Sequence, residues 1–122
     1  MKILKVDLDD KSENTVNRFL FALSLLKEFY TFEKWEVYET NKGLHIYLLL
    51  TEHVEEKEVI LLQCILGSDI NRELFNLIRF LRNGKSKNVL FKRKRSSDGY
   101  ISKEEVTSLS LKIEMMISEV VT

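Results

Sequence analysis

Apolar and polar residues alternate from Ile3 to Leu8, with Leu4, Val6 and Leu8 on one side and Ile3, Lys5 and Asp7 on the other, the pattern of a half-buried strand. The period then changes. Val16, Phe19, Leu20, Leu23, Leu26 and Tyr30 recur three and four residues apart behind Ser12, a good N-cap residue, so a long amphipathic helix is expected next. Residues 35–40 and 44–50 are rich in β-branched, aromatic and leucine side chains, and Asn41-Lys42-Gly43 between them has the composition of a tight turn. They predict a hairpin. From Glu55 a second helical stretch runs through Val59, Leu62 and Ile65, breaks at Gly67-Ser68-Asp69 and resumes through Leu74, Leu77, Ile78 and Leu81 to a stop at Asn83-Gly84. Residues 88–92 read as a fourth strand, and Ser102 with Glu105 as a capping box for a last helix carrying Val106, Leu109, Ile113, Ile117 and Val120.

The order βαββαβ plus a terminal helix, with right-handed crossovers, predicts an α+β ferredoxin-like two-layer sandwich. Its four-stranded antiparallel sheet would run 4-1-3-2 with two helices on one face, as a single domain over residues 1–122. Nothing in the chain marks a boundary: it has no proline, no repeat and no low-complexity tract. The other sheet face stays open unless the last helix, a partner or a ligand covers it.

At 44% hydrophobic, 122 residues can close one core without a staple. A single cysteine, Cys64, within an apolar run, excludes an internal disulfide and a cysteine-based zinc site and reads as an inert thiol. Apolar runs under ten residues exclude a membrane span, and the charged start excludes a secretory signal, so a cytoplasmic protein without a membrane partner is expected. Nineteen basic and nineteen acidic residues cancel, yet they are unevenly placed. Lys85, Lys87, Lys92, Arg93, Lys94 and Arg95 fall within 85–95 with no acid among them, while 52–58 carries four acids and one lysine. The basic cluster suits a phosphate backbone, DNA or RNA, with Tyr47 or Phe91 stacking on a base from the open face. Its bland counterpart is a solvated face or a charged edge strand.

Asp7 and Asp9, two residues apart, point to the same side of the first strand. An antiparallel third strand would start beside them, bringing His45 and Tyr47 onto the same open face. Paired carboxylates suit Mg2+ or Mn2+, hard cations that take oxygen ligands and keep waters for a substrate phosphate, and an imidazole beside them suits a phosphate contact or proton transfer. The same acids are also ordinary residues before a helix N-terminus. Residues 94–105 partly match a calcium loop, but Lys94 stands at its first ligand position, so they read as a turn and a cap. Met115, Met116 and Ile117 read as core or as a homodimer contact.

Val6-Asp7-Leu8-Asp9 after an apolar strand, then a helix, then Thr40-Asn41-Lys42-Gly43-Leu44-His45-Ile46-Tyr47, resembles the first two motifs of the archaeo-eukaryotic primase superfamily, which includes the polymerase domain of bacterial end-joining ligases. The resemblance covers about fifty residues and implies Asp7 and Asp9 as metal ligands and His45 as the catalytic-site contact to a nucleotide phosphate. That family places a third metal-binding acid on a later strand, where 88–94 here offers only basic side chains. Rolling-circle initiators share the sheet plan but need a second histidine where Tyr47 stands. The expectation is a small nucleic-acid-binding protein with a replication-type palm sheet, a reduced relative of primase-polymerases. Its alternatives are a metal-dependent nucleotidyl-transfer or phosphodiester enzyme and a homodimeric module without catalysis.

Overall fold

The computed structural model describes residues 2–83, 93–95 and 101–122 of the chain. Strand β1 (Lys2–Leu8) is followed by helix α1 (Glu13–Leu26), then β2 (Phe32–Glu39) and β3 (Leu44–Leu50). Helices α2 (Glu56–Ile65) and α3 (Ile70–Asn83), the short strands β4 (Arg93–Arg95) and β5 (Ile101–Lys103), and helix α4 (Ser108–Val121) complete the order. Among the described residues no helix is long and apolar enough to cross a membrane.

Among the described residues the sheet has three antiparallel strands in the order β1-β3-β2, and β4 and β5 form a separate two-stranded ribbon. This corrects the expected four-stranded 4-1-3-2 sheet. The predicted strand at 88–92 lies outside the described residues, and β4 pairs with β5 rather than β1. The physical reason lies at the free edge of β1. Gln63 Oε1 accepts the Lys5 N–H at 2.9 Å, Ser68 Oγ accepts the Asp7 N–H at 2.9 Å, and the Asp7 carbonyl accepts from Asp69 N at 2.7 Å. The Lys5 carbonyl accepts from Arg72 at 3.1 Å. An edge strand must satisfy its outward backbone groups, and here side chains and a turn do so in place of another strand.

Alternation along the strands sends Leu4, Val6 and Leu8, Leu44, Ile46, Leu48 and Leu50, and Val37 to one face, all essentially sealed from solvent. A bulge between Phe32 and Lys34 keeps Phe32 and Trp35 on that face although they are three residues apart. Helix α1 covers the face with Val16, Phe19 and Leu23, α4 with Ile113 and Ile117, and α2 with Val59 and Leu62, in one continuous core. Each such side chain is worth about 1.5–3 kcal/mol when fully buried. The last helix therefore lies on the same side as α1 and leaves the opposite face to other residues.

Ser12 caps α1 as expected, accepting from Thr15 N. The break at Gly67 is also present, with Gly67 at φ 90°, a conformation that favours glycine. The cap of α4 differs. Ser102 lies in β5, and the helix instead begins behind Thr107, whose side chain accepts from Ser110 N while the Ser110 hydroxyl meets the Thr107 backbone. Thr107 also donates to Glu39 Oε1 at 2.7 Å, which ties that helix start to the end of β2 and moves it past the expected box.

Candidate cation site at the end of β1

The register Asp7↔His45 places the acid and the imidazole side by side on the face away from the core, as the antiparallel third strand predicts. His45 Nε2 lies 3.5 Å from Asp7 Oδ1. Asp9 follows just beyond the strand and stays exposed. A third acid joins them. Gly67 turns the chain out of α2, Ser68 and Asp69 bond to the two backbone groups of Asp7, and this latch carries the Asp69 carboxylate to the pair. Ligand oxygens of Asp7, Asp9 and Asp69 lie within 4.8 Å of one another.

Adjacent ligands of an octahedral Mg2+ stand about 3 Å apart and opposing ones about 4.2 Å, so a set spread over up to 4.8 Å has to draw together by up to about 2 Å around the ion. Three carboxylates at such range repel one another, and a divalent cation converts that repulsion into attraction. The donor set is all oxygen, which suits Mg2+ or Mn2+. Beside it opens a cleft lined by Asp9, Asp10, Thr15, Arg18 and Gly67, which shares Asp9 with the three carboxylates.

The imidazole is not a surface group. His45 is 6% exposed. Its Nδ1 is 2.9 Å from Glu104 Oε2, and the Tyr47 hydroxyl donates to the same carboxylate oxygen. Glu104 follows β5 directly and reaches across the outer face of the sheet. Its neighbour Glu105 anchors that crossing by a two-way backbone bridge to Glu39, at 2.8 and 2.9 Å. The carboxylate fixes which imidazole nitrogen faces Asp7 and seals the ring from above.

Tyr47, expected to stack on a base, is half-buried and meets Tyr38 edge to face, with ring centroids 5.7 Å apart at 81°. Burial, and then the bond to Glu104, raises the Tyr47 hydroxyl well above the usual tyrosine range. Hydrogen bonding to Glu36, with burial behind it, pushes Tyr38 up to about 12. Cys64 is half-buried, and desolvation pushes its thiol up, away from the reactive thiolate.

The expected site residues thus divide. Asp7, Asp9 and His45 come together; Tyr47 is committed to Glu104. Arg93, Lys94 and Arg95 form β4, opposite Lys103, Ser102 and Ile101 of β5, and Lys85, Lys87 and Lys92 lie outside the described residues. Sequence reasoning missed Asp69 and Glu104. The Gly67-Ser68-Asp69 break was a visible signal for the former; no local signal marks the latter. No family model, curated protein or solved structure matches the chain.

Proposed function

We propose that this protein binds nucleic acid with the help of a divalent cation, Mg2+ or Mn2+, held by Asp7, Asp9 and Asp69 against a phosphate of the ligand. The convergence of the three carboxylates at the end of β1 carries this reading. Arg18 on the wall of the adjoining cleft supplies a second phosphate contact. The unbroken basic run Lys92 to Arg95, partly within the β4–β5 ribbon, supplies sequence-independent attraction to the backbone. The motif likeness to primase-polymerases supports the same ligand class through Asp7 and Asp9 alone. Binding is favoured over catalysis because His45 is buried between Asp7 and Glu104 and meets no incoming group directly.

Titration with Mn2+ should broaden the amide signals of residues 7–9 and 67–69 first, and Asp69→Asn should weaken that effect about tenfold or more. Gel mobility with single- and double-stranded DNA should show binding that falls with salt and with chelation of Mg2+. Broadening spread evenly over surface acids, or DNA binding indifferent to chelator, would sink the proposal.

A further inference from the structure

Helix α3 is turned the opposite way to an ordinary surface helix. Its buried residues are polar: Glu73 and Asn76 are 1% and 2% exposed. Glu73 accepts from Gln63 Nε2 at 2.8 Å, from Asn76 Nδ2 at 3.2 Å and from Arg72, and Arg72 reaches the β1 edge. The helix spends its polar face on that edge. At about 100° per residue, Ile70, Leu74, Phe75, Ile78 and Leu81 then fall on one outward arc. They are 48–69% exposed. A helix of this apolar content normally buries such an arc.

Charge decides what covers it. The single acid of α3, Glu73, is buried in the network just described, so the charges that α3 shows to solvent, Arg79 and Arg82, are both positive. Arg79 follows the apolar arc just past Phe75 and Arg82 sits within it, between Ile78 and Phe75 near the end of the helix, where long side chains can lay their stems on apolar surface and keep their heads wet. A second copy of the same helix would bring arginine against arginine with no exposed acid on α3 to pair with it. Nucleic acid would match the charge and leave the arc uncovered. An anionic bilayer surface matches both, since its headgroups take the arginines and its acyl boundary takes the apolar side chains.

We propose that α3 is a membrane-surface helix, lying in the plane of an anionic bilayer without crossing it. The proposal is independent of the cation site, which can fail without affecting it. The full-length chain would be sedimented with sucrose-loaded vesicles of phosphatidylcholine alone or mixed with phosphatidylglycerol, at low and high salt. Partition into the anionic vesicles only, weakened by salt, is expected. Removing both charges with Arg79→Gln and Arg82→Gln should cost about thirtyfold, at about fivefold per arginine. Leu74→Gln with Ile78→Gln should cost about tenfold or more, while Phe21→Ser, equally exposed on α1, should change nothing. If a variant does not fold, the wild-type chain still decides: anionic vesicles should slow amide exchange in α3 and not in α1. Absence of partition, equal partition into neutral vesicles, equal loss with Phe21→Ser, or self-association abolished by the α3 substitutions would each overturn the proposal.

Discussion

At the scale of single residues, the site depends on close backbone contacts that few side chains would permit. Gly43 opens β3, and a Cβ at that position would lie 1.9 Å from the Leu8 carbonyl oxygen. That oxygen is backbone and belongs to the strand that carries Asp7, so it cannot rotate away. Gly43→Ala should therefore part β1 from β3 at the end where His45 meets Asp7. Urea unfolding should show a loss of about 1–3 kcal/mol, and the imidazole resonances of His45 should move. An unchanged midpoint would mean the two strands are not held as tightly as the contact implies. Asp7, Asp9 and His45 were legible in the sequence because strand alternation and antiparallel pairing follow from backbone geometry. Asp69 was marked only by the glycine break before it, and Glu104 by nothing, since it arrives from a distant segment through bonds that leave no periodic trace.

Elements were easier to read than their packing. Five long elements stand close to where hydrophobic period and turn chemistry put them, and the break between α2 and α3 falls at the glycine. The expected four-stranded sheet failed because the composition of β1 cannot reveal that its edge is already satisfied. Gln63 is the centre of that substitution of side chain for strand: fully buried, it accepts from Lys5 N and donates to Glu73. Gln63→Leu would leave the part-buried Lys5 amide and the buried Glu73 carboxylate each short of a partner. A loss of about 2–3 kcal/mol is expected in denaturant unfolding. Removing both partners of a buried bond costs less than stranding one of them. The double variant with Glu73→Leu should therefore lose less than the sum of the singles, and strict additivity would show that the two side chains act independently.

Over the whole molecule, three separate elements converge on Glu39 at the end of β2. Its carboxylate accepts from Lys11 at 2.6 Å, in the segment leading into α1, and from Thr107 at 2.7 Å, the cap of α4. Its backbone meanwhile pairs with Glu105, next to the residue that seals His45. The start of α1, the start of α4 and the outer-face crossing are thus held at one point. The bonds from Lys11 and then Thr107 keep the Glu39 carboxyl below its ordinary value of 4.5. Its contribution is therefore complete above that ordinary value and is lost as pH falls through the lower, folded value. Glu39→Gln keeps the shape and the backbone bridge but removes the charge, so at neutral pH it should cost about 1 kcal/mol. That gap should close as acid protonates the wild-type carboxyl, because both proteins then present a neutral side chain to Lys11. Thermal unfolding of the pair across the acid range measures the gap directly. A difference that stays constant with pH would show that Glu39 acts at this junction through its shape and its backbone, with its charge contributing nothing.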